Sequence, residues 1–241
     1  MGQVDMLVAH IRRTLGDLGA PLSEEETYEY SSLGLCVIDA VYSIGVRYES
    51  TSRTVGDFCR KYGWEKNRAK AKEEHTISAF IAALQPYENK WEELAVKVFD
   101  NRQRTSSRGG ILKAEAVFRF AKVLQKFKIE RFADVMSGMK GDVRRAILEI
   151  RGQSSGLSYN YFLMLAGKTD KVKEDRMISR FVANAVGRAN LSDGESEQLV
   201  RAAAGVLQTE YPKLTPTSLD YLIWKYQRDQ GDGAKGSGKC H

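Results

Sequence analysis

The chain has 241 residues, 42% of them apolar and 28% charged, and a net charge of +6. This is the composition of an ordinary globular protein, long enough for one large or two small helical lobes sharing a core. No segment approaches the ~20 uncharged apolar residues of a membrane span. Asp5, His10, Arg12 and Arg13 exclude a signal peptide in the first helix. A cytoplasmic protein with no membrane partner is therefore expected, and nothing in the chain signals an oligomer, so a monomer is expected. Cys36, Cys59 and Cys240 lie far apart in sequence and suggest neither a disulfide framework nor a zinc motif.

Residues 3–18 carry apolar side chains at helical spacing (Val4, Leu7, Val8, Ile11, Leu15, Leu18) and stop at Gly19, which predicts a first amphipathic helix. Pro21-Leu22-Ser23 opens a second, with Ser23 as N-cap and glutamates in the first turn. This second helix runs on to Ile44, is almost wholly apolar over residues 33–44, and belongs there at the centre of a core. Further helices are predicted over residues 54–62, 67–84, 88–99 and 111–127. The loop between the last two, residues 101–110, is polar and basic and has no core-forming side chain. His75 has no Cys or His partner at ligand spacing, and His10 and His241 are equally isolated, so no metal site is predicted.

Charge is unevenly spread. Residues 1–40 carry two basic and seven acidic residues, whereas residues 102–131 carry nine basic and two acidic ones. A concentrated basic region suits an anionic partner. A solvated helix face is the plainer reading of such a run taken alone.

Val143, Ile147 and Ile150 keep helical spacing, Gly152 to Gly156 breaks it, and an apolar helical run resumes at Leu157 and ends at Gly167. Residues 143–167 thus read as helix, glycine-bearing hairpin, helix. Small residues in such a hairpin let backbone N–H groups approach a phosphate, and the following helix N-terminus adds partial positive charge. A plain helix-helix turn is the alternative. Another helix starts at Asp175, followed by the stripe Met177, Ile178, Phe181 and Val182. Ser192-Asp193-Gly194-Glu195 reads as a capping box for a helix to about Tyr211, and Thr215-Pro216 begins a last helix to about Arg228. Residues 231–241 form a Gly/Lys/Ser tail expected to be mobile. No alternating strand pattern and no repeat occurs, so the fold class is all-α.

The order of these elements resembles the helix-hairpin-helix DNA glycosylase superfamily. Ile150-Arg151-Gly152-Gln153-Ser154-Ser155-Gly156 resembles a loosened form of its Leu-Pro-Gly-Val-Gly hairpin. Asp175-Arg176-Met177-Ile178-Ser179-Arg180 resembles its Asp-Thr-His-Val-x-Arg motif, and Gly110-Ile111-Leu112-Lys113-Ala114 its Gly-x-x-x-Lys-Ala helix start. The similarity covers roughly residues 33–187. It implies a two-lobed helical unit over residues 1–230, double-stranded DNA as partner, and cleavage of the N-glycosidic bond of a damaged or modified base.

Asp175 falls at the catalytic aspartate, a carboxylate placed to stabilise an oxocarbenium-like sugar and activate water. Its alternative is a simple N-cap. Gly152, Gln153, Ser154, Ser155 and Gly156, with Arg104, Arg108, Lys113, Arg176 and Arg180, are the implied DNA contacts. Arg47, Tyr48 and Tyr159 are candidates for a wedge or base pocket, although the turn from Ser43 lacks the family's glutamine. No lysine occurs between Lys140 and Lys168, so the resemblance points to a monofunctional enzyme using water rather than an amine nucleophile. The chain cannot build the four-cysteine iron-sulfur loop of some members. No cofactor is implied beyond a monovalent cation at the hairpin carbonyls. A helix-hairpin-helix DNA-binding protein without catalysis remains the alternative.

Overall fold

The computed structural model describes residues 2–19, 29–46, 48–168 and 176–236. Their α-helices, in chain order, are α1 (Gln3–Thr14), α2 (Leu33–Tyr42), α3 (Tyr48–Tyr62), α4 (Ile77–Leu84), α5 (Trp91–Lys97), α6 (Lys113–Lys126), α7 (Phe132–Gly138), α8 (Gly141–Leu148), α9 (Leu157–Leu165), α10 (Arg176–Val186), α11 (Asp193–Leu207) and α12 (Pro216–Gly236). Among the described residues there is no β-strand, only isolated bridges pairing Tyr30 with Asn67 and Arg104 with Leu112. The fold is all-α, and no helix of the described residues is long and apolar enough to cross a membrane.

The chain divides into two compact units, one formed by Met1–Pro21 with Lys168–His241, the other by Leu22–Gly167. The second is built on α2. Every residue of this helix is buried, because its sequence is apolar on all sides and α3, α4, α6 and α9 pack around it. Each large side chain so enclosed contributes about 1.5–3 kcal/mol relative to exposure. Phe58 of α3 joins α4 and the turn after α3 to this core, its ring 5.2 Å from both Phe80 and Trp64. The helix carries one charged residue. Asp39 is fully buried, and Oδ2 accepts hydrogen bonds from the Tyr30 hydroxyl at 2.8 Å and the Tyr161 hydroxyl at 3.5 Å. Burial and the nearby carboxylate push the Tyr30 hydroxyl well above its ordinary pKa, so it stays a donor.

In the other unit, α1 lays Leu7, Val8 and Ile11 against α10 and α11. Of the α10 stripe predicted from sequence, Ile178, Phe181 and Val182 are buried and Met177 is half-buried. Its Phe181 ring packs against the His10 ring in an edge-type contact at 4.8 Å. The capping box at α11 forms as its sequence indicates: Ser192 Oγ accepts from the Glu195 N–H at 3.2 Å, and Glu195 Oε2 accepts from the Ser192 N–H at 2.9 Å.

Several boundaries depart from the sequence reading. Helix α2 starts at Leu33 behind the non-helical residues 29–32 and does not continue a helix from Ser23, and α3 starts at Tyr48 and not at residue 54. Residues 67–76 are not helical apart from a single 3-10 turn at Arg68–Lys70. The run Ala69 to Glu74 has helix formers but no apolar stripe, and the chain here pairs with residues 29–31 instead, Ser31 N–H donating to Lys66 O at 3.0 Å and Arg68 N–H to Glu29 O at 2.9 Å. Helix α7 went unpredicted because at seven residues it shows barely two turns of periodicity. At the C-terminus α12 continues to Gly236, past the point at which a tail was expected. The Ser23 cap lies outside the described residues.

Candidate nucleic-acid interface

Helix α8 ends where Glu149 N–H donates to Arg145 O and Ile150 N–H closes on Ile147 O. Gly152 then takes φ +85° and Gly156 φ +78°, left-handed conformations that reverse the chain twice at little steric cost only for glycine. Between them Gln153 N–H donates to Ile150 O at 2.8 Å and Gly156 N–H to Gln153 O at 3.0 Å, after which α9 begins. Ser155 Oγ accepts the Leu157 N–H at 3.4 Å. Ser154 and Ser155 are exposed at the tip, and no acceptor among the described residues takes their backbone N–H groups. Gln153 differs from its neighbours. It is buried, and its amide oxygen accepts from the Ser158 hydroxyl, pinning the turn to α9. Its side chain is therefore a brace for the hairpin and not the DNA contact the sequence suggested.

The basic loop is more ordered than its composition implies. Lys113 N–H donates to Gln103 O at 2.8 Å and Thr105 N–H to Ile111 O at 2.9 Å, closing residues 103–113 into a narrow hairpin. This loop touches the helical hairpin directly. A side-chain carbon on Gly152 would lie 2.2 Å from Thr105 Oγ1, so the hairpin backbone rests against the Thr105 side chain where only glycine fits. Beside it, a side-chain carbon on Gly109 would lie 3.0 Å from the Arg151 guanidinium. Two motifs separated in sequence thus form one surface within the central unit.

Three predicted contacts are placed otherwise. Lys113 is buried at 3% exposure, and its ammonium donates to Tyr42 O at 3.0 Å, Ile44 O at 2.8 Å and Gln103 Oε1 at 3.3 Å. It cannot also neutralise a phosphate. Burial lowers its pKa to about 8. Arg104 is partly engaged, donating to Gly110 O at 3.0 Å and pairing with Glu92 at 3.3 Å. Tyr159, a candidate for the base pocket, is 5% exposed and packs in the core, its hydroxyl pKa raised by burial. Arg108 is exposed at the loop tip as expected.

The surface also gains cations that motif matching passed over. Arg144, Arg145 and Arg151 are all exposed, and a side-chain carbon on Gly156 would lie 3.8 Å from the Arg144 guanidinium. For two of them the signal was present: Arg144 and Arg145 fall between Val143 and Ile147, off the apolar stripe of α8, whereas Arg151 follows that helix in the hairpin itself. Tyr48 opens α3 half-buried, and Arg47 lies outside the described residues. Asp175 and the Arg176 side chain also lie outside them. Arg180 belongs to the other unit, where its Nε donates to Gln227 Oε1 at 2.8 Å. No group of three His, Cys, Asp or Glu side chains able to hold a metal occurs among the described residues.

Residues 5–228 match the family described as Domain of unknown function (DUF8548). The chain belongs to the DUF8548 family. No curated protein and no solved structure matches it. The DUF8548 match spans α1 through most of α12 and takes in both compact units, so the hairpin surface and Asp175 lie in one family-defining stretch.

Proposed function

We propose that this protein binds double-stranded DNA through the helical hairpin and the adjoining basic loop, and that it is a monofunctional DNA glycosylase of helix-hairpin-helix type acting on a damaged or modified base. The observation that carries the reading is the meeting of Gly152 with Thr105. It joins the unclaimed N–H groups of Ser154 and Ser155, in the turn ahead of α9, with the exposed guanidinium groups of Arg108, Arg144 and Arg151. Backbone donors in such a turn beside arginines are the chemistry a phosphodiester requires. Replacing Arg108, Arg144 and Arg151 together by alanine is expected to weaken binding to any duplex irrespective of sequence. The slope of log affinity against log salt should fall by roughly one for each phosphate that is no longer neutralised. Anisotropy titrations over a salt series measure this, and an unchanged affinity would remove the surface from the proposal.

For catalysis, no lysine follows the hairpin in sequence between Lys140 and Lys168, the position from which the strand-cutting helix-hairpin-helix glycosylases supply an amine, which supports hydrolysis by water. Borohydride treatment of the protein with abasic duplex is accordingly expected to trap no covalent adduct, read by mass spectrometry. An adduct at any lysine, Lys168 included, would contradict the monofunctional reading.

One observation favours the second reading, a DNA-binding protein of the same architecture without catalysis. Tyr159, the aromatic nearest the hairpin, is enclosed in the core and cannot stack on an everted base. Incubation with duplexes carrying different modified bases, scored as heat-labile abasic sites, separates the two. Release of any base supports the glycosylase, and binding without release across the panel supports the alternative.

A further inference from the structure

Beside the loop of residues 103–113, on α5 and the turn before it, lies an open groove of about 660 Å³, within the ~300–1,000 Å³ that small-molecule-sized groups fill. Trp91, the first residue of α5, lines it half-buried, with one side of the indole covered by Phe118 at a ring distance of 5.4 Å. The acidic groups of the groove are engaged: Glu92 with Arg104 at 3.3 Å, Glu93 with Lys97 at 2.7 Å and Glu115 with Arg119 at 2.7 Å. The exposed cations Lys90 and Arg151 also line it and form no ion pair among the described residues. The groove therefore presents an aromatic surface with positive charge left over, next to the loop that the hairpin rests on.

We infer that this groove holds a single unstacked nucleotide of a DNA strand, its base against Trp91 and its phosphate beside Arg151 or Lys90. The inference rests on the DNA-binding reading above and adds to it a contact with unpaired DNA. An indole recessed in a groove cannot reach the π-face of a base stacked within a duplex, but it accepts any unpaired base, because every base has such a face. The half-buried ring, held by Phe118, is already fixed in place. Arg151 stands in both surfaces, lining the groove and lying against Gly109 of the loop. A strand unpaired near the hairpin would thus need little extra length to enter.

The test compares wild type, Trp91→Leu and Trp91→Phe for binding to a ten-residue oligothymidylate and to a blunt duplex, with thermal unfolding recorded for each. Trp91→Leu should lower oligothymidylate affinity on the order of tenfold, Trp91→Phe should retain most of it, and duplex affinity should stay within about twofold throughout. Equal losses for both substitutions, equal losses on both ligands, or no loss with Trp91→Leu would each overturn the inference. A wild-type protein that binds the duplex but not the oligothymidylate overturns it alone. Failure to bind either ligand overturns the DNA-binding reading with it.

Discussion

Replacing Lys113 by alanine is expected to destabilise the protein by roughly 3–5 kcal/mol, the scale for removing one member of a buried charged hydrogen-bond set. The ammonium closes the C-terminal end of α2 by donating to Tyr42 O and Ile44 O, and fastens the basic loop through Gln103. Truncation leaves these acceptors unpaired, at about 1–3 kcal/mol each, and opens a cavity. Opposing this is the cost of burying the charge. With its pKa lowered by burial to about 8 from 10.5, the folded state gives up its proton before the unfolded chain does. Between these values the unfolded state binds more protons, so stability supplied by this group rises with pH, by up to about 1.4 kcal/mol per unit, and is lost as pH falls. Lys113→Met, which keeps most of the volume, should therefore lose less than the alanine variant at pH 7. Its deficit against wild type should grow as pH is raised from 8 to 10. Denaturant titrations at each pH measure the gap, and a gap that narrows would mean that the oxygen acceptors hold the proton more strongly than burial expels it.

Lys113 also shows where sequence stops being informative. In a stretch with nine basic residues it reads as one more phosphate ligand, because the carbonyls that capture it lie on a helix end 71 and 69 residues earlier. No local pattern carries that information. Gln153 is misread for the same reason, since its partner Ser158 becomes visible only when Gly152 and Gly156 have turned the chain. By contrast α2 was legible because ten successive buried residues have to be apolar almost throughout, and the hairpin because two glycines set between two apolar stripes have few other uses. Asp39 marks the limit on the core side: a carboxylate in an apolar run gives no hint that Tyr30 and Tyr161 will converge on it.

The surface that results differs from the motif-derived one in a consistent way. Lys113 and Arg180, predicted from motifs, and Arg104, predicted from the basic loop, are wholly or partly engaged by the fold. Among the exposed arginines, Arg144 and Arg145 come from helical periodicity, on the face of α8 that its apolar stripe leaves to solvent, while Arg108 lies at the loop tip and Arg151 in the hairpin. Periodicity reports which side faces water, whereas a motif reports what relatives place there. For a loosened hairpin such as this one, the former is the stronger guide to which arginines are available to an anion.

On the proposed glycosylase reading, Asp175→Asn should lower base release by at least about two orders of magnitude while leaving folding and duplex affinity nearly unchanged. Residue 175 immediately precedes α10, which starts at Arg176, and it is the carboxylate that the resemblance assigns to the sugar. Glycosidic cleavage builds positive charge on that sugar, and a charge-stabilising or proton-accepting group is worth about a hundredfold or more. Asparagine has nearly the size of aspartate and caps helices about as well, so a residue that served only as a cap would tolerate the change. The carboxylate next to it, Glu174, supplies the control. Glu174→Gln removes an equal charge one position away and should leave base release within a few-fold of wild type. Single-turnover assays on the best substrate of a modified-base panel, with denaturation midpoints for both variants, decide the matter. A rate lost in Glu174→Gln and kept in Asp175→Asn would move the catalytic role one residue, and a midpoint that collapses in Asp175→Asn would make the aspartate a structural residue.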